Sequence, residues 1–223
     1  MKKKIFITTI VCCMMFCGYS QSTTTEQQQV KQISDLTQLK RNQFSKEMRQ
    51  NIVSTFYTSA PQEWSKEQIL LAGYLKIQEL KDTLIKVKYS DELSFSLRFQ
   101  TMLALSRMDD KNTTEELFLM LASKETNDQT VYALYNDIVY TRQKILFDFL
   151  IERMQDKSKN CFSANPDNPQ KIECAYRIVE LLAPVIRDFP QRGNMSSYKK
   201  YLEKARKWCK KQNGKYQIID NSF

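Results

Sequence analysis

Histidine is absent from all 223 residues of the chain. That removes Ser–His and Cys–His nucleophile pairs, His-ligated zinc or iron, and the commonest general base near neutral pH. Glycine (4) and proline (5) are scarce, and a sandwich or barrel of many short strands needs more turn residues than that. Beyond residue 20 no C-x-x-C pair occurs, so neither redox nor zinc chemistry has a motif, and no cofactor or metal is expected. What the chain has instead is apolar stripes at helical spacing through most of its length, and these predict an all-α protein.

The first twenty residues read as a removable export signal. Lys2, Lys3 and Lys4 form a positive start, and Ile5 to Cys17 is an apolar run shorter than the about 20 residues a bilayer-spanning helix needs. Gly18 and Ser20 place small residues at the −3 and −1 positions for cleavage before Gln21. The rival is a lipoprotein signal at Cys12, Cys13 or Cys17, but Met14, Met15 and Phe16 before Cys17 are bulky. Export to the periplasm or cell envelope implies an oxidising compartment. Residues 21–29 are a polar lead-in, 30–215 a single helical domain, and 216–223 an extended tail.

Charge is unevenly placed. The whole chain is +9, yet residues 192–215 hold nine basic residues against one acid, and residues 21–191 hold 22 basic and 23 acidic residues. The body is neutral, so the basic balance does not indicate a nucleic-acid binder, and export excludes that partner again.

Spacing predicts helices over about 65–80, 82–87, 90–108, 113–123 and 129–155, then from 170 to a stop or kink at Pro184, and over 197–212. Ser65 and Gln68, and Thr113 and Glu116, are spaced as capping boxes, and Asn127-Asp128 as a turn and cap. Leu97-Arg98, Thr101, Ala104-Leu105, Met108 and Asp109-Asp110, followed by Leu117 to Leu121, resemble one unit of a HEAT-type helical repeat. Weaker copies start at Ile69-Leu70 with Gly73, about 28 residues earlier, and at Val131 with Leu134 and Ile138, about 33 later. The resemblance spans roughly residues 65–155. It implies an α-solenoid of stacked helix pairs, each unable to bury both faces alone, and a scaffold rather than a reaction.

The candidate binding residues follow from this. Tyr132, Tyr140 and Phe147 form a second apolar face on the 129–155 stretch, with Arg142 and Lys144 nearby. That face is either an aromatic groove for a partner or a helix packed on two sides. Lys199, Lys200, Lys204, Lys207 and Lys211 face away from the apolar stripe of the last helix, which suits an anionic membrane surface or a solvated terminal cap. Cys161 and Cys174 suit a disulfide across the longest loop, with Cys174–Cys209 competing. The pairs Asp91-Glu92, Asp109-Asp110 and Glu115-Glu116 fit helix caps better than glycosidase carboxylates. Ser196 and Lys199 have S-x-x-K spacing without companion motifs. The expectation is a non-catalytic exported interaction or scaffold protein with a protein partner. The alternatives are a peripheral membrane-surface protein, a small carboxylate-dependent glycan hydrolase, or a toxin-inhibiting binder.

Overall fold

A computed structural model describes residues 35–165, 167, 169–193, 195 and 197–223. The expected export signal, the 21–29 lead-in and Ser196 lie outside the described residues. Residues 35–39 belong to one unit, in which 35–37 form a helical turn, and Lys40–Phe223 form the other. All that follows concerns the second, which is mostly helical with one very short hairpin.

Helix α1 (Lys46–Thr58) begins where the Ser45 hydroxyl accepts from Met48 N–H at 3.1 Å. It buries Ile52 and Phe56, and the Phe56 ring meets Trp64 edge-on. Helix α2 (Lys66–Leu75) is capped in the same way by Ser65 on Gln68 N–H, and every residue from Gln68 to Leu75 is buried. It stops at Lys76, whose backbone is left-handed (φ 52°), five residues before the expected end. A 3-10 turn (Gln78–Leu80) leads into α3 (Lys81–Lys88).

Helix α4 (Phe95–Arg107) starts at Ser94, not Ser90, because the Ser94 hydroxyl accepts from Leu97 N–H at 3.2 Å. Asp110 rather than Thr113 caps α5 (Lys111–Ala122). Thr113 and Thr114 are buried in its first turn instead. Helices α2 and α4 touch at the backbone: a Cβ on Gly73 would lie 2.6 Å from Ala104 Cα. Glycine is required there by contact, not by turn geometry.

The expected 129–155 helix is two. Helix α6 (residues 128–140), capped by Asn127, contains a π-helical stretch at Val131–Tyr135. Helix α7 (Lys144–Gln155) follows a corner in which Arg142 is left-handed (φ 57°). Strands β1 (Cys161–Phe162) and β2 (Lys171–Ile172) pair antiparallel inside the region expected to be loop and helix start. A disulfide joins Cys161 to Cys174 across them, and Cys209 is free and buried. Helix α8 (Ala175–Leu182) ends just before Pro184, and α9 (Tyr198–Gln212) packs Tyr201, Leu202, Ala205 and Cys209 inward.

A constant interval runs through the middle of the unit. The left-handed corners that end α2, α4 and α6 are Lys76, Asp109 and Arg142, each 33 residues from the last. Leu84, Leu117 and Leu150, on α3, α5 and α7, have the same interval, and all three are fully buried. The interval between these positions is 33, against an expected shift of about 28. No helix among the described residues is long and apolar enough to cross a membrane.

Candidate functional site

The 33-residue interval sets four side chains in a row. Arg41, Tyr74, Arg107 and Tyr140 recur at that spacing, alternating cation and ring. The Arg41 guanidinium lies 5.0 Å from the Tyr74 ring centre, and that of Arg107 lies 5.4 Å from Tyr74 and 5.0 Å from Tyr140. Each arginine also donates to the main chain one interval on: Arg41 Nε to Tyr74 O at 2.7 Å, and Arg107 Nη1 to Tyr140 O. The result is a ladder of alternating arginines and tyrosines, with Arg41 in a 3-10 turn (Arg41–Gln43) before α1 and Tyr74, Arg107 and Tyr140 at the C-terminal ends of α2, α4 and α6. Cation–π contact inside a desolvated row is worth up to about 2 kcal/mol per pair.

Residues 216–223 lie along this ladder. Tyr74 Oη donates to Asn221 O at 2.8 Å, Arg107 Nη2 to Ser222 O at 3.0 Å, and Arg142 Nε to Ile219 O at 3.0 Å. Three side chains thus grip three main-chain carbonyls of an extended segment. Arg41 takes the Asp220 carboxylate with both terminal nitrogens, at 3.0 and 3.1 Å, and Arg107 reaches it at 2.8 Å. The Phe223 ring stands edge-on to Tyr74 and Tyr140, centroids 5.7 and 5.8 Å away. On the opposite edge Ile219 N–H donates to Val185 O, and Arg187 N–H to Gln217 O. The expected extended tail is therefore held at nearly every residue.

Electrostatics match the contacts. Burial would raise the Asp220 carboxyl, but the Arg41 hydrogen bond and the charges of Arg107, Arg41 and Lys76 hold it below the usual carboxylate range. Burial, reinforced by repulsion from Arg107, brings Arg142 down to about 10, so it remains charged at neutral pH. Burial keeps the Tyr140 phenol protonated far above its ordinary range, and Tyr140 donates its proton to Leu70 O. Four cations, Arg41, Lys76, Arg107 and Arg142, face two carboxylates, Asp220 and Asp109, the latter 2.7 Å from Lys76 Nζ.

Of the residues singled out in the sequence, Tyr140 and Arg142 stand in this groove. Lys144 is at its edge, bound to Asp148 and 4.3 Å from the Tyr216 ring centre. Phe147 is fully buried in the core, which makes it a packing residue. Tyr132 is exposed on another face, with Arg177 over its ring. Lys199, Lys200, Lys204, Lys207 and Lys211 are exposed on α9, whose apolar stripe is docked inward. The acidic pairs are spread over caps and ion pairs: Asp110 with Thr113 and Lys81, Glu116 with Lys88, and Asp91 with Arg98. A separate cavity of about 380 Å³ is lined by Trp64, Ile69, Leu93, Leu97 and Gln100 among others.

Sequence reasoning missed Arg41, Tyr74, Arg107, Asp220 and Phe223. The signal was present as the 33-residue spacing, but it alternates arginine with tyrosine, so a search for repeated residue types passes over it. Compared with known proteins, the chain matches no family model, no curated protein and no solved structure.

Proposed function

We propose that this chain is an exported, non-catalytic interaction protein of the cell envelope, built as an α-solenoid of stacked helix pairs, that binds another protein along the arginine–tyrosine ladder. The observation that carries this reading is the groove's chemistry. Its donors are spaced to meet the carbonyls of an extended chain, its cations to meet a carboxylate, and its two rings to meet a third. Main-chain hydrogen bonds with a few side-chain pockets are how extended peptides are recognised generally.

The solenoid part rests on α2/α3, α4/α5 and α6/α7 as three successive units of one length. Their 33-residue interval is shorter than the about 40–47 of HEAT-type units, so the proposal is of stacked pairs and not of that family's unit. The Cys161–Cys174 bridge supports export, since such bonds persist in oxidising compartments. The absence of histidine supports a binding role over catalysis.

The test is photo-crosslinking in native envelopes, with the reactive residue placed at Asp109 on the groove's rim or at Glu67, exposed in the first turn of α2. A discrete protein adduct from position 109 and not from 67 is expected. Equal labelling from both positions, or none from 109, would contradict the reading.

A further inference from the structure

The segment along the ladder is bound as a ligand is bound. Residues 216–223 form no helix; one isolated bridge, Ile186 with Ile218, is their only ladder pairing among the described residues. Their grip comes from side chains that converge from three elements. Tyr74 belongs to α2, Arg107 to α4, and Arg142 to the corner after α6. Four side chains of the segment are held: the Asp220 carboxylate between Arg41 and Arg107, the Phe223 ring between Tyr74 and Tyr140, the Tyr216 hydroxyl on Asp148 at 2.7 Å, and Ile218 against the core. Gln217, Asn221 and Ser222 are exposed, and the last two contribute only their main-chain carbonyls to these contacts.

We infer that residues 216–223 are an internal stand-in for a partner's segment, and that the groove's true ligand is an extended stretch with an acid three residues before an aromatic. This rests on the proposed partner-binding function and names the partner's chemistry. Two features point from stand-in to partner. The groove keeps four cations against two carboxylates, one of which, Asp109, already serves Lys76. A segment with a second acid whose side chain faces the ladder satisfies the surplus better than the internal one does. The link from α9 is also short and marked by turns: Asn213 and Gly214 are both left-handed (φ 46° and 76°), and Lys215 is exposed. The segment can therefore leave and return without disturbing α9, whose Tyr201, Leu202, Ala205 and Cys209 remain packed.

A tethered segment acts at an effective concentration on the order of millimolar. A partner must outcompete it, and its apparent affinity falls by the fraction of time the groove is filled. The internal segment thus sets a threshold below which weak acidic segments do not bind.

The probe is the octapeptide of residues 216–223, amidated at its end so that no charge is added, and dye-labelled at its start. It is titrated into the full chain and into a chain stopped after Lys215. Saturable one-to-one binding to the shortened chain is expected, at least about tenfold tighter than to the full chain. Replacing the peptide's aspartate with asparagine, or its phenylalanine with alanine, should each weaken binding about tenfold or more. In case the shortened chain does not fold, a protease site inserted between Gly214 and Lys215 lets the segment be cut after folding. The labelled peptide should then exchange into the cut protein.

The inference is overturned if the folded shortened chain does not bind the peptide, if it binds the Asp and Phe replacements equally well, or if the cut protein neither releases nor exchanges its segment. A full chain that forms dimers by swapping residues 216–223 would also overturn it, by making a second copy the occupant. The crosslinking result at Asp109 is independent of all of these, so a partner bound by other contacts would still be recognised.

Discussion

At Gly73 helix α2 meets the backbone of α4, and its missing side chain is a structural requirement. A methyl group there would sit 2.5 Å from the Tyr140 hydroxyl and 2.8 Å from Ala104 O as well as against Ala104 Cα. Backbone cannot swing aside as a flexible side chain can. Gly73→Ala should therefore cost about 1–3 kcal/mol or more in denaturant unfolding, despite the helix preference of alanine. Asp220 gives a residue-scale test of charge. Its folded carboxyl titrates below its ordinary 3.8, so its contribution is complete above that value and is lost as pH falls through the depressed one. Stability of the docked segment should be flat in this term from about pH 7 to 5 and fall below pH 4, and Asp220→Asn should remove that acid-limb dependence. An acid limb that persists unchanged in Asp220→Asn would move the effect to another carboxylate. Cys209, by contrast, is buried and pushed up to about 11, which leaves its thiol protonated and unreactive near neutral pH.

The hairpin and the last helix carry the element-scale predictions. The Cys161–Cys174 bond closes a loop with a separation of 13. By the loop-entropy estimate this stabilises by about 3 kcal/mol, and replacing both cysteines with alanine should lower unfolding stability by about that amount. The bond also pins β1 and β2 beside α8, whose Arg177 donates to Phe162 O at 2.7 Å. Loss of the bond should loosen the hairpin before the helices, which amide exchange at Ser163, donating to Gln170 O, would report. On α9, Lys199, Lys200, Lys204, Lys207, Lys210 and Lys211 are exposed while the apolar stripe is spent on the core. Without an exposed apolar face, attraction to anionic vesicles is purely electrostatic. It should therefore vanish on flotation at about 0.15 M salt, where the Debye length is about 8 Å. Retention at that salt would favour a membrane-surface role instead.

At the scale of the whole molecule, what could be read from the sequence was whatever local chemistry decides. The Ser65 and Asn127 caps follow from a hydroxyl or amide facing a first-turn N–H. The inward stripe of α9 follows from helical spacing. The ends of α2 and α6 did not show, because the apolar pattern runs through them. Lys76 and Arg142 take left-handed backbone that neither residue type favours, so residue type gives no signal for the turn. The candidate site was half visible. Tyr140 and Arg142 marked one end of the groove, while Arg41 and Asp220 come together from 179 residues apart, a distance that spacing along one helix does not reveal. Breaking the ladder should be felt along it: Arg107→Leu removes contacts to Tyr74, Tyr140, Asp220 and Ser222 together. It should destabilise the fold by roughly 3 kcal/mol or more, the scale for stripping one partner from a buried charged network.

The central claim is that residues 216–223 occupy a binding groove rather than complete the core, and native-state amide exchange tests it most directly. Ile219 N–H, 2.8 Å from Val185 O, reports on the segment, and Leu103 and Leu150 amides in α4 and α7 report on the fold. The account predicts that Ile219 opens at a free energy at least about 2 kcal/mol below the helices, with little dependence on denaturant, as a local release does. Exchange of Ile219 at the same free energy and with the same denaturant dependence as Leu103 and Leu150 would contradict it.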